Sequence, residues 1–186
     1  GAAKYLAETR NFAGSVAVIF QPAEEGGGGG LEMVKDGMME RFNIGRVFGM
    51  HNMPSLPVGA FAIRPGPIMA ATAEFTIAIK GRGGHAAMPH VTIDPIVVGS
   101  QLVTAFQSVV SRSADPVEAL VVSVTKFHAG DAYNIISESA EIAGTVRTLN
   151  KSLAALAEKR IREICAGIAA ASGATIEVDY DANYPV

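Results

Sequence analysis

The hydrophobic pattern changes character part-way along the chain. Residues 15–20 (SVAVIF) are apolar without alternation, the pattern of a strand covered on both faces, as in a parallel sheet flanked by helices. Gln21-Pro22 ends that run. Ahead of it, residues 1–12 read as a helix with Ala3, Leu6 and Ala7 on one face, broken by Gly14. A short helix is expected over 31–36, stopping at Gly37, followed by apolar strands over 46–50 and 58–63, the first of them ending at His51-Asn52. Strand, short helix, strand predicts an α/β layer, and such sheets place their ligands beyond the carboxyl ends of the strands.

Past the Pro/Gly-rich joint RPGPIMAAT, alternation takes over. Phe75, Ile77 and Ile79 occupy one face of AEFTIAIKG, the mark of a half-exposed, antiparallel-type strand. The pattern then predicts a helix over 94–111, strands over 120–127 and 140–149, a helix over 151–171 and a strand over 175–179. This β-α-β-β-α-β order is the ferredoxin-like split arrangement, two helices on one face of a four-stranded sheet, which should fold as its own module. In the second helix Asn150 is the expected N-cap. Leu153, Leu156, Ile161, Ile164 and Ile168 form the apolar stripe, and Gly173 sits where a C-terminal cap belongs.

Composition narrows the classes. With 186 residues, 49% hydrophobic and 18% charged, the chain fits one or two globular domains. Lys+Arg 15 against Asp+Glu 18 gives a net charge of -3, and no basic run offers a footprint for phosphates, so nucleic acid is not an expected partner. No uninterrupted apolar run reaches the ~18 residues of a membrane span, and no basic n-region opens the chain, so a membrane is not expected either and a cytoplasmic setting is. Cys165, the lone cysteine, lies in the helical REICAGIAA, where a small buried residue is the ordinary reading. Gly1 stands first in a helix already under way, which leads us to expect a fragment.

Chemistry concentrates at a few positions. Glu24 and Glu25 follow the first apolar run, and adjacent side chains there point into different space. The pair is either a solvated acidic turn or two acids with separate tasks, one binding a metal ion and one exchanging a proton with water. His51 ends the next apolar run, and neighbouring strands lie ~4.8 Å apart, so an imidazole and a carboxylate are expected to converge, although a lone histidine there reads first as hydrogen-bonded structure rather than a ligand. Such ligands suit zinc, manganese or a similar ion, but a catalytic site usually has three protein ligands, leaving at least one unaccounted for. The glycine tract 26–30 lacks the Gly-Lys-Ser/Thr ending of a phosphate loop and the spacing of a dinucleotide fingerprint. Glycines that permit close approach beside a crowded site are the better reading. In GRGGHAAMPH, His85 is either an oxyanion donor or an incidental loop residue, with His90 just ahead of the long helix. His128 reads as a turn residue. Asn134 follows a predicted turn, and Arg147 near a strand end either reaches solvent or presents its planar fork to a carboxylate.

Taken together, VIFQPAEEGGGG, GMHN, KGRGGHAAMPH with DPI four residues on, YNIIS and GTVRT, in this order, resemble the aminoacylase-type metal-dependent amidohydrolases of bacteria and plants. These are dinuclear metal enzymes related to carboxypeptidase G2, and the branch includes hippurate hydrolases and indoleacetyl-amino-acid hydrolases. The resemblance implies hydrolysis of the amide bond of N-acyl amino acids with two divalent ions, zinc or manganese, in the full-length protein. It implies that Glu24 is the general base activating the metal-bridging water, that Glu25 and His51 are metal ligands, and that His85 stabilises the oxyanion in the partner subunit's active site. Asn134 and Arg147 would grip the substrate carboxylate. It further implies a partial catalytic domain over 1–71, a lid or dimerisation domain over 72–181 through which the protein forms a homodimer, and the start of a return to the catalytic domain over 182–186. A metal-binding Cys-Gly-His-type segment before Gly1 and a histidine ligand after Val186 are implied to complete the site. Two alternatives remain: a peptidase of the same family, a carboxypeptidase or dipeptidase, or, for this fragment, a non-catalytic dimerisation and ligand-binding module.

Overall fold

A computed structural model describes all 186 residues. It is of the mixed α/β class and divides into two units, Gly1–Phe61 and Ala62–Val186.

The first unit holds three helices: α1 (Ala2–Thr9), α2 (Gly29–Lys35) and α3 (Met38–Arg41). Helix α1 stops short of the expected Phe12 because Arg10 turns left-handed at φ 46° and returns its N–H to the Leu6 carbonyl. Gly37 separates α2 from α3 with φ 81°, a conformation that costs glycine nothing. The apolar runs 15–20, 46–50 and 58–63 were expected to be strands, and here the structure differs: none of them joins a hydrogen-bonded sheet. An apolar run favours burial, but a strand exists only where another backbone supplies N–H and C=O groups. Without that neighbour the side chains stay in solvent, Phe20 at 86% and Phe48 at 88% exposure.

The second unit follows the expected order and adds a small ribbon. Its elements are β1 (Ala71–Lys80), β2 (Gly84–His85), α4 (Pro95–Ser108), β3 (Leu120–Ala129), β4 (Ile135–Ile136), β5 (Ser139–Thr148), α5 (Lys151–Ser172) and β6 (Thr175–Tyr184). The four long strands lie in the order β3-β5-β1-β6 with every neighbouring pair antiparallel. That is the sheet of the ferredoxin-like split arrangement. Alternation in β1 buries Phe75, Ile77 and Ile79 as expected, against Val98, Leu102 and Phe106 of α4 and Leu153, Ala157, Ile161 and Cys165 of α5. Phe75 and Phe106 meet edge to face with centroids 5.9 Å apart. The opposite face of the sheet is polar, with Glu74, Thr76, Lys80 and Glu141 exposed.

The caps of α5 are the expected ones. Asn150 Oδ1 accepts the N–H of Ser152 at 2.8 Å, and Gly173, at φ 76°, donates its N–H to Ala169. Asp94 caps α4 likewise, and α4 gives way at Val109 to a π turn running to Ser113. Strand β6 continues five residues past Asp179, its Tyr184 facing Thr72. His128 lies inside β3 opposite Glu141 rather than in a turn, because β3 runs two residues further than its apolar pattern.

Candidate functional site

The diglutamate sits on a loop closed at its base. Gly29, at the start of α2, lies so close to the Pro22 carbonyl that a Cβ there would come within 1.8 Å of the oxygen. A β-carbon on Gly30 would meet the Gln21 side chain at 3.0 Å. The glycine tract therefore lets two backbone segments touch. Ala23 at φ 48° and Gly27 and Gly28, also at positive φ, turn the chain between those points. Glu24 and Glu25 are exposed on this loop, and neither side chain makes a hydrogen bond or ion pair.

His51 is also exposed, with Nδ1 2.7 Å from the carbonyl oxygen of Asn52. The strand pairing expected to bring His51 beside the carboxylates is absent, since the runs 15–20 and 46–50 share no ladder. Carboxylate oxygens and an imidazole nitrogen are donors that zinc and manganese accept. Yet no three His, Cys, Asp or Glu side chains of this chain come together in an arrangement able to hold an ion. The donor chemistry fits a divalent metal; the set in this chain is incomplete.

In the second unit two candidate residues share one small structure. Beyond β1 the chain enters GRGGH, where close approach requires glycine: a Cβ on Gly81 would stand 2.1 Å from the Ile93 carbonyl oxygen, and one on Gly83 2.8 Å from that of Ile136. This lets β2 pair with β4, Gly84 opposite Ile136 and His85 opposite Ile135. Ala86 donates its N–H to the Asn134 carbonyl at 3.0 Å, so the His85 and Asn134 segments are held side by side. The Ala87 N–H donates to His85 Nδ1 at 3.1 Å. An Nδ1 that accepts carries no proton, so the neutral ring bears its hydrogen on Nε2, which has no protein partner and is free to donate. His90, in a turn over Pro89–Val91, makes no side-chain contact of this kind.

Arg147 lies elsewhere. It sits in β5 opposite Thr72 of β1 and Val121 of β3, half-buried, with no acidic partner. Its Nη1 donates to the Val146 carbonyl at 2.9 Å and to Thr145 Oγ1. Ser139, where β5 emerges from the ribbon that carries Asn134, is eight residues from Arg147. At ~3.3 Å per residue that is roughly 26 Å, so His85 and Asn134 stand at one end of the sheet and Arg147 at the other. Sequence reasoning did not single out Thr145; its signal is the two-residue spacing in GTVRT, which puts Thr145 and Arg147 on the same face of a strand. A cavity of about 280 Å³ between α5 and the sheet, lined by Ala71, Ala154, Ala155, Tyr180 and Tyr184 among others, includes none of the six candidate side chains.

Comparison with known proteins supplies the context. The model of peptidase family M20/M25/M40 matches residues 1–186. The hippurate hydrolase of Campylobacter jejuni is 44% identical over 185 residues, covering 100% of this chain and 48% of its own length. A solved structure of a protein from methicillin-resistant Staphylococcus aureus superposes with a TM-score of 0.91 at 37% identity, covering 99% of this chain and 49% of that one. A dinuclear metal-binding peptidase of the M20 family from Bacillus subtilis gives a TM-score of 0.76 at 34% identity, covering 99% of this chain and 46% of that one. The chain thus spans about half the length of the relatives it matches.

Proposed function

Because the chain belongs to peptidase family M20/M25/M40, we propose that the full-length protein hydrolyses the amide bond of N-acyl amino acids, hippurate-like compounds that keep a free carboxylate. The observation that carries this reading is the likeness to a hippurate hydrolase along the whole chain, with all six candidate residues inside the matched span.

Glu24, on its exposed loop, takes a proton from the attacking water as hydroxide adds to the amide carbon. It then returns the proton to the amine as the C–N bond breaks. Glu25 and His51 would hold part of a pair of divalent ions, zinc or manganese, which when bound would polarise the amide carbonyl. His85 offers its Nε2–H to the oxyanion of the tetrahedral intermediate. Asn134 and Arg147 take the substrate carboxylate, Arg147 through its planar fork.

One chain cannot bring all of these to one small molecule, because the length of β5 separates Arg147 from the ribbon that carries His85 and Asn134. A homodimer resolves this if His85 and Asn134 serve the partner's substrate. The free edge strands of the sheet are β3 and β6. Strand β6 exposes Glu177, Asp179 and Asp181, and apposing two copies would bring six carboxylates together. The β3 edge carries no such series, and the neighbouring helix α4 exposes Ile96 and Val97. That side is the one we assign to the second copy.

The test of the Glu24 role is Glu24→Gln in the full-length protein, assayed on an N-acyl amino acid. Removing the general base is expected to lower kcat by roughly 10²–10⁴ with the fold intact. Turnover near the wild-type value would refute the assignment.

A further inference from the structure

Arg147 is held in a way that decides which side of its guanidinium is open. Thr145, two residues earlier on the same strand face, donates its hydroxyl proton to the Ala73 carbonyl of β1 at 3.0 Å. With the proton committed there, the oxygen turns its lone pairs to the arginine and accepts from Nη1. The second Nη1 proton goes to the Val146 carbonyl at 2.9 Å. Both Nη1 hydrogens are thereby used within the protein. The Nε–H and the two Nη2 hydrogens have no protein acceptor, although Glu74 stands opposite Thr145 in the strand register. An Nε/Nη2 edge presents two parallel N–H groups, the spacing that suits the two oxygens of a carboxylate.

We propose that Thr145 is a positioning residue that, anchored on the Ala73 carbonyl, holds Arg147 by Nη1 and so presents its Nε/Nη2 edge to the substrate carboxylate. The proposal rests on the reading that Arg147 takes that carboxylate. Valine in place of Thr145 keeps the shape and removes the acceptor, freeing the guanidinium to rotate; serine keeps the hydroxyl.

The experiment measures kcat and KM for the full-length protein on an N-acyl amino acid and on the same compound with its carboxylate capped as a carboxamide. Thr145→Val is expected to raise KM for the carboxylate substrate about tenfold, the worth of a hydrogen bond to a charged group, with little change in kcat. The capped substrate should lose nothing, and Thr145→Ser should restore the wild-type KM. Equal losses on both substrates, or a Thr145→Val protein with wild-type KM, would overturn the proposal. Arg147→Ala separates the two levels. If it leaves the preference for carboxylate over carboxamide unchanged, the reading of Arg147 itself fails; if it abolishes that preference while Thr145→Val does not alter it, only the role of Thr145 fails.

Discussion

Cys165 packs in the core between α5 and the sheet at 2% exposure, and burial pushes its thiol up from 9.0 to about 11, an effect that nearby Arg162 partly offsets. The folded state therefore favours the protonated thiol. Its contribution to stability is fully present below pH 9 and is lost as pH rises through about 11, a change of roughly 3 kcal/mol. Urea denaturation at pH 8 and pH 11 checks this: the wild-type protein should lose more stability over that interval than Cys165→Ala. The cysteine's burial was readable from REICAGIAA because a helix repeats its buried face every three to four residues. Other features at this scale were not. Thr145 is fixed by the Ala73 carbonyl, 72 residues away in sequence, and the hydrogen on His85 Nε2 follows from a backbone N–H in a loop whose path no periodicity describes.

Elements marked by local caps or by a clear alternation of apolar and polar positions were legible, and apolar runs with neither were not. Helix α5 has a side-chain cap at one end, a left-handed glycine at the other and an apolar stripe between, all within 24 residues from Asn150 to Gly173. Asn150 Oδ1 serves both the backbone N–H and the hydroxyl of Ser152. Asn150→Ala is accordingly expected to cost about 1 kcal/mol, seen as a lower thermal midpoint in circular dichroism. The apolar runs 15–20 and 46–50 are the counter-case. Their composition reports a demand for burial and says nothing of which backbone would pair with them, so the expected sheet, and with it the expected meeting of His51 with Glu24 and Glu25, is missing from Gly1–Phe61. The ribbon of β2 and β4, two residues in each strand, is too short to leave a pattern. Only the glycines that let its backbones approach gave a sign of it.

For the molecule as a whole, the arrangement of the second unit bears on assembly. Its sheet is polar on one face, covered by α4 and α5 on the other, and long enough to hold His85 and Asn134 away from Arg147. The order of strands and helices was legible in the change of period along the chain. The separation of the candidate residues was not, because motifs in sequence order carry no information about which end of a sheet each occupies. In the homodimer we propose, one catalytic site takes Arg147 from one chain and His85 from another. Co-expression of full-length His85→Ala and Arg147→Ala chains, followed by kcat/KM on an N-acyl amino acid, tests it most directly. Each variant alone should be severely impaired, while random pairing should restore about a quarter of wild-type kcat/KM, since half the dimers are mixed and each mixed dimer holds one intact site. A mixture no more active than the average of the two single variants would contradict it.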